Sequence, residues 1–189
     1  MDALMAAFVG ALLCQASDRT AWLSAILGDR YQKPWAMIVA AAVALALGNA
    51  LGAVAGTLMA AIMTPNARAL FLALALLSAG STALFALKSP DRMAGWRIGA
   101  FGTTLVALLA IGVGDRTQFL TAAIAARTPI AAPFAAIGAT LGSLAVIVPA
   151  ILAGERDYRA LPHRPIRIAI GLVLVLTGVM FGLVALRLI

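Results

Sequence analysis

Two short stretches of the sequence place charged and polar side chains among almost entirely apolar neighbours. The first holds Asp18-Arg19-Thr20, and the second, 97 positions later, holds Asp115-Arg116-Thr117. Gln15 precedes Asp18 by three residues and Gln118 follows Asp115 by three, so each carboxamide shares a helical face with an aspartate. Carboxylate, carboxamide and hydroxyl oxygens are the ligands that hard cations prefer. Because charges inside a membrane are energetically costly, a chain that carries them twice in one register is expected to use them, here to bind a cation.

Eight side chains of these stretches receive predicted roles. The two aspartates are the expected metal ligands, four neutral groups complete the oxygen shell, and two arginines gate the site or balance its charge. These residues are Asp18 and Asp115, then Gln15, Gln118, Thr20 and Thr117, and finally Arg19 and Arg116. The alternative is that each aspartate forms only a structural ion pair with an arginine of the other half, because adjacent residues on a helix do not face each other.

The composition places the chain in a membrane. Of its 189 residues, 63% are hydrophobic and 11% are charged, whereas a soluble domain has about 45–50% apolar and about 25% charged residues. A spanning helix needs about 20 mostly apolar residues, and six such segments nearly exhaust the length. We therefore predict an all-α polytopic membrane protein with spans at Ala3–Leu27, Trp35–Met63, Ala67–Leu87, Ile98–Ala126, Ala132–Ala153 and Ile166–Leu188.

The net charge of +7 is spread through short loops without an aromatic-rich patch, which disfavours nucleic-acid binding. Nine Lys and Arg residues follow spans one, three and five, and three lie on the opposite side. By the positive-inside rule, this bias predicts a cytoplasmic central linker and both termini outside, in the bacterial cytoplasmic (inner) membrane. The nine are Arg30, Lys33, Lys88, Arg92, Arg97, Arg156, Arg159, Arg164 and Arg167.

An internal repeat organises the chain. Gly48-Asn49-Ala50-Leu51-Gly52 in span two answers Gly138-Ala139-Thr140-Leu141-Gly142 in span five. Each half holds three spans, an odd number, so the halves must cross in opposite senses and form an inverted repeat. We predict one membrane domain over 1–189, with repeat one at 1–88, a cytoplasmic linker at 89–97 and repeat two at 98–189. Transporters built this way place their sites at the repeat interface, here between spans one and four and framed by spans two and five.

Other features carry weaker expectations. The spaced glycines of spans two and five indicate close helix packing, and Asn49 is an outside candidate for a ligand. His163, in the polar loop from Glu155 to Pro165, is interpreted as a solvated residue. The sequence has no glycine-rich phosphate loop, zinc spacing or nucleophile elbow. We therefore expect no enzyme activity, no ATP-driven mechanism and no resident cofactor.

The duplicated triplets resemble the signature of the transmembrane protein 165 family, also called uncharacterised protein family 0016, whose six-span members carry two copies of Glu-x-Gly-Asp-Lys/Arg-Thr/Ser. Gly114-Asp115-Arg116-Thr117-Gln118 matches that signature, and the first copy keeps Asp18-Arg19-Thr20 with Ser17 in place of glycine. The resemblance implies transport of manganese or calcium in exchange for protons. The expected partners are therefore an inorganic cation and protons, with membrane lipid and further copies of the chain.

The two motif glutamates of that family are missing here, because their positions hold Gln15 and Gly112. A family member brings four carboxylates to the site, and this chain brings two. We therefore expect weaker cation binding, preference for another ion or a different coupling to protons. Two further functions stay open. One is export of a small organic solute whose carboxylate meets the arginines, and the other is a non-transporting membrane subunit.

Overall fold

The computed structural model describes residues 1–85, 90, 96 and 98–188. Within those residues the chain folds into eight α-helices and one short 3-10 helix, which agrees with the predicted all-α class. In chain order these are α1 (Asp2–Ala16), α2 (Arg19–Tyr31), α3 (Pro34–Ala60), α4 (Pro65–Leu84), α5 (Gly99–Gly112), α6 (Arg116–Arg127), the 3-10 turn Pro129–Ala131, α7 (Ala132–Ala160) and α8 (His163–Ala185).

Spans one and four are each broken at the motif; the glycines of the second motif, Gly112 and Gly114, predict a bend in span four, whereas span one is predicted without a break. The first break follows Ala16, where the Ser17 hydroxyl donates to the carbonyls of Leu13 and Cys14 and Asp18 adopts an extended backbone. The second break bends α5 against α6 by 63°. Gly114 lies there at φ +77°, a left-handed conformation that glycine adopts without a steric penalty. Both aspartates therefore stand at the N-terminus of a second half-helix rather than in mid-span.

The breaks also change the count of spans. Among the described residues, α3, α4, α7 (with the preceding 3-10 turn) and α8 are each long and apolar enough to cross a membrane, and the bent pair α5–α6 adds a fifth if it crosses as one broken span. Helix α1 is apolar but has only 15 residues, so it reaches span length only together with α2.

Each broken span packs against the middle helix of the other half. Helices α1 and α2 pack against α7, α5 and α6 pack against α3, and α3 and α7 touch each other. Glycines permit this approach, as expected. A Cβ added to Gly142 would lie 2.2 Å from the carbonyl oxygen of Phe8, and one added to Gly52 would lie 2.9 Å from that of Gln118. The two motif-bearing spans are thereby brought face to face.

The pairing of α4 with α8 shows the relation between the halves. A Cβ at Gly80 would lie 2.9 Å from the carbonyl oxygen of Gly171, and one at Gly178 would lie 3.1 Å from that of Ala73. The two contacts are related by one shift of 98 residues (80 to 178, and 73 to 171). Reciprocal contacts of this kind are those of a two-fold interface.

Two other boundaries differ from the predictions. Helix α7 continues past Ala153 to Ala160, with a break in its φ/ψ at Gly154 where the Asp29 carboxylate accepts the Glu155 amide at 2.7 Å. The predicted polar loop from Glu155 is therefore mostly the end of α7 and the first turn of α8, and His163 begins α8 instead of lying in a solvated loop. The end of span three at Leu87 and most of the linker, with Lys88, Arg92 and Arg97, lie outside the described residues.

Candidate functional site

Asp18 is buried, and both of its carboxylate oxygens accept hydrogen bonds. Its Oδ1 accepts a hydrogen bond from Nη2 of Arg116 at 2.9 Å, which makes an ion pair between the two halves. Its Oδ2 accepts from the hydroxyl of Thr20 at 2.7 Å and from the Thr20 amide at 3.3 Å, so Asp18 caps α2. Burial of an unpaired carboxylate in a low-dielectric interior is unfavourable. The charge of Asp18 is therefore balanced by the arginine of the second motif.

Arg116 also binds the backbone at the first helix break, in addition to Asp18. Its guanidinium also donates to the carbonyl oxygen of Ser17 at 2.8 Å and to the hydroxyl of Thr82 on α4 at 3.3 Å. That carbonyl is freed by the break after α1, because the helical ladder ends there. One side chain of the second half therefore satisfies both the charge and the open backbone of the first.

Asp115 has a different environment. It is half-buried at the N-terminus of α6, and no ion pair involves its carboxylate within the part of the chain that the structure describes. Arg19, the counterpart of Arg116 in the first motif, is exposed and likewise makes no ion pair there. The structural alternative of two cross-paired aspartates is therefore realised at Asp18 and not at Asp115.

A small cavity collects the oxygen ligands. It has a volume of about 20 Å³ and lies between α1, α3, α5 and α6, and its polar lining consists of Gln15, Thr20, Asn49, Asp115, Thr117 and Gln118. A cavity needs about 10–15 Å³ of space open to the centre of a water molecule in order to hold one. The space therefore suits one water or one ion, surrounded by oxygen atoms from both halves.

A second, open cavity of about 650 Å³ begins beside the first, and Asp115 lines both. Asp18, Arg19 and Arg116 line only the open one, together with Ser78 and Thr82 of α4. Both aspartates therefore share a cavity, while Asp18 is absent from the ion-sized one. Of the six predicted ligands, the other five line the small cavity.

Two of the neutral ligands are held by contacts within their own half. Oε1 of Gln15 lies within hydrogen-bond distance of the Thr20 hydroxyl, and Oε1 of Gln118 accepts the amide of Gly114 at 3.2 Å, which braces the second break. The Thr117 hydroxyl is buried and has no hydrogen-bond partner among the described residues. A buried polar group without a partner is uncommon and requires an explanation. A bound ion or water in the adjoining cavity would supply one.

Asn49, only an outside candidate from the sequence, lies at the centre of this framework. Its Oδ1 accepts from the Thr121 hydroxyl at 3.3 Å, and its Nδ2 donates to the Thr140 hydroxyl at 3.3 Å. It therefore joins α3 to α6 and α7 at the floor of the cavity. The available signal was a carboxamide in an otherwise apolar span, at a position that the repeat pairs with Ala139, the neighbour of Thr140.

Carboxylates are few at this site. Among the described residues, no group of three His, Cys, Asp or Glu side chains is placed to hold a metal ion. The positions of the missing motif glutamates explain the count, because Gln15 lines the small cavity with a neutral carboxamide and Gly112 lines it with no side chain. Any cation bound there would meet one carboxylate, Asp115, and several neutral oxygens.

The two halves are arranged asymmetrically. Phe119 of α6 contacts Phe71 of α4 edge to face, with ring centroids 5.1 Å apart. The repeat counterpart of Phe119 is Trp22 of α2, and a cavity of about 470 Å³ lies between Trp22 and Ile168 of α8. Helix α6 is thus closed against α4, while α2 and α8 leave an open cleft. The ion pairs follow the same asymmetry, because Asp18–Arg116 is formed and Asp115–Arg19 is not.

Comparison with known proteins gives one family and one relative. Residues 3–91 and 100–187 match the family described as "Divalent cation/proton antiporter GDT1". A protein of Vibrio cholerae serotype O1 named "Putative manganese exporter" is 28% identical over 190 residues, which covers 98% of this chain and 90% of that protein. No solved structure matches the chain.

Because only Asp18 is paired with an arginine, we expect Asp→Asn to lower the free energy of unfolding more at position 18 than at position 115. Asp18→Asn leaves the Arg116 guanidinium without its counter-charge, and removing one partner of a buried ion pair costs about 3–5 kcal/mol. Asp115→Asn removes no ion pair, so we expect it to lower the free energy of unfolding by less than about 1 kcal/mol. Detergent unfolding of the purified variants measures both. Equal losses for the two variants would contradict the pairing.

Proposed function

Because the chain belongs to the GDT1 family of divalent cation/proton antiporters, we propose that it exports Mn²⁺ from the bacterial cytoplasm in exchange for protons. Asp115 is the carboxylate that binds the cation and the proton in turn. The observation that carries this proposal is the position of Asp115, which lines both the ion-sized cavity and the open one and lacks an arginine partner among the described residues. A carboxylate so placed can meet an ion from the open side and hold it in the closed one.

The oxygen ligands support a hard divalent cation. Carboxylate, carbonyl and hydroxyl oxygens suit magnesium, calcium and manganese, and Gln15, Asn49 and Gln118 bring carboxamides to the same cavity. The name of the Vibrio cholerae relative favours manganese among these ions. Binding of the cation to Asp115 and binding of a proton there exclude each other, and this competition is the basis of exchange at one carboxylate.

Arg116 and Arg19 are proposed to act as alternating partners. In the present arrangement Arg116 neutralises Asp18 at 2.9 Å, while Asp115 is available for the ion. Inverted repeats reach their second state when each half adopts the arrangement of the other. In that state Arg19 pairs with Asp115, Arg116 leaves Asp18, α2 closes on α8, and the Phe71–Phe119 contact opens.

The orientation predicted from the positively charged loops indicates which side of the membrane each state opens to. The open cavity runs along the last turns of α4, which precede the linker 89–97 that is predicted to be cytoplasmic. The arrangement described here is then open to the cytoplasm, with both termini outside. The repeat boundaries (1–88 and 98–189), residence in the bacterial cytoplasmic membrane and assembly with further copies are parts of the same proposal.

Export of a small organic solute is the less favoured reading. Arg116 is occupied by Asp18, and the cavity that gathers the neutral ligands, at about 20 Å³, is too small for an organic solute, so only Arg19 in the open cavity could meet a substrate carboxylate. The family match likewise favours transport over the role of a non-transporting subunit.

Titration of the purified protein with Mn²⁺ tests the role of Asp115. Unit charges about 4 Å apart attract by about 4 kcal/mol at an intermediate dielectric, so we expect Asp115→Asn to weaken Mn²⁺ binding at least about 100-fold. Asp2→Asn, which removes an exposed carboxylate, is the matched control and should bind as the parent does. Gln15→Glu adds a carboxylate to the small cavity and should tighten binding. Unchanged Mn²⁺ affinity in Asp115→Asn would refute the assignment.

Labelling of a cysteine in the open cavity tests the exchange of arginine partners. In a Cys14→Ser background, Ser78→Cys places a thiol in the wall of that cavity. Loss of about 1.4 kcal/mol from the present state shifts a two-state equilibrium tenfold. We therefore expect Arg116→Gln to slow labelling by a membrane-impermeant maleimide severalfold, from the cytoplasmic side.

Arg19→Gln is the matched control, because it removes the same charge from the other motif. It should leave labelling as fast as in the parent, or faster, because it destabilises only the opposite state. Equal slowing by both substitutions would exclude an exchange of partners.

A further inference from the structure

We infer that the cleft between α2 and α8 is a binding site for a phosphate group, supplied by the headgroup of an anionic phospholipid. The cavity there has a volume of about 470 Å³ and is lined by Trp22, Tyr158, His163, Arg164 and Arg167, with Ala83 and Leu84 of α4 at its side. None of these residues lines the cavities that hold the two aspartates. The inference therefore goes beyond the transport site and stands independently of it.

Unsatisfied donors are the first evidence. Nε1 of Trp22 and Nε of Arg167 are buried, and neither has a hydrogen-bond partner among the described residues. Arg167 uses Nη2 to bind the carbonyl oxygen of Ala83 at 3.0 Å, which fixes the guanidinium and leaves its Nε without an acceptor. Buried donors normally find a partner in the protein or in a bound molecule. Trp22 and Arg167 both line the cavity, so an acceptor bound in it would lie beside two residues that each have an unsatisfied N–H group.

The charge of the cavity identifies the acceptor as an anion. Arg164 and Arg167 line it, and the described part of its lining contains no carboxylate. The first turn of α8 begins at His163, so the positive end of a 23-residue helix points to the same place. Oxygen-rich anions are the usual ligands of helix N-termini and of guanidinium groups, and phosphate accepts several such bonds at once.

The walls of the cavity are preformed. The His163 ring packs against the Tyr158 ring with centroids 4.5 Å apart, and its Nε2 lies at hydrogen-bond distance from the Tyr158 carbonyl oxygen. The guanidinium of Arg159 lies over the Trp22 ring, 5.5 Å from its centroid, and also pairs with Glu155, which restrains the indole. Little ordering is then required when an anion enters.

The location favours a lipid as the source of the phosphate. The cavity lies at the end of the bundle where α7 passes into α8, and Ile166, Ile168 and Leu172 on α8 next to it are exposed. Exposed apolar side chains beside a cationic pocket provide a surface for acyl chains, and basic pockets between spanning helices on the cytoplasmic side are known to hold lipid headgroups. Tryptophan is also enriched at membrane interfaces.

Native mass spectrometry of the full chain in neutral detergent tests the site. The protein is titrated with phosphatidylglycerol, with phosphatidylcholine and with inorganic phosphate. We expect phosphatidylglycerol to bind at least about tenfold more tightly than phosphatidylcholine, because only the former carries a net negative charge. Arg167→Gln and Trp22→Phe should each lower that affinity by about tenfold. The second variant keeps an aromatic ring at this position and removes the N–H group together with part of the indole.

Arg156→Gln is the control, because Arg156 is exposed near the same end of α7 and does not line the cavity. It should keep the affinity of the parent. Mn²⁺ binding should also survive in Arg167→Gln and Trp22→Phe, which shows that both are folded. Equal loss in Arg156→Gln and Arg167→Gln, or no preference for phosphatidylglycerol, would overturn the lipid site. Saturation by inorganic phosphate without any preference between the lipids would reassign the site to free phosphate.

Discussion

An aspartate buried in an apolar bundle must be neutralised, and the ion pair between Asp18 and Arg116 at 2.9 Å is the interaction on which the rest depends. It joins the two halves at the point where both motif helices are broken. The break leaves the backbone carbonyl of Ser17 without a helical partner, and the same arginine donates a hydrogen bond to it at 2.8 Å. The side chain of Arg116 therefore neutralises Asp18, satisfies the Ser17 carbonyl and joins the two halves. Within the described residues Asp115 has no arginine partner, while Arg116 is held by Asp18.

Much of this could be predicted from the sequence. Hydropathy predicts membrane-spanning helices, and the duplicated motif identifies the ligand candidates. Five of the six candidates line one small cavity in the structure. The break after Ala16 was missed because no glycine or proline marks it; it depends on the Ser17 hydroxyl bonding back to α1 and on Asp18 capping α2. Which aspartate is paired could not be predicted, because both motifs carry the same Asp-Arg-Thr triplet and only the packing of α4 against α6 distinguishes them. Asn49 was underrated for a similar reason, since its partners Thr121 and Thr140 come from the other half.

The asymmetry between two similar halves connects the fold to its use. Reciprocal contacts of Gly80 and Gly178 keep α4 and α8 together along a two-fold interface, while the motif helices lie differently on either side of it. The proposed second state reverses the roles of the two halves on this scaffold, and a ligand that binds one of two such states better shifts the population toward it. The cationic cleft between α2 and α8 lies on the side that is open in this arrangement.

The central claim is that one cation sits in the small cavity and is bound by Asp115. Crystals of the protein soaked in Mn²⁺ and measured at the manganese absorption edge test it most directly, because anomalous scattering locates the metal independently of any functional assay. We expect a single strong peak within about 2–2.6 Å of an Asp115 carboxylate oxygen, with Gln15, Asn49 or Gln118 among its neighbours. A peak at Asp18 with Asp115 turned away, or strong peaks only outside the bundle, would contradict it.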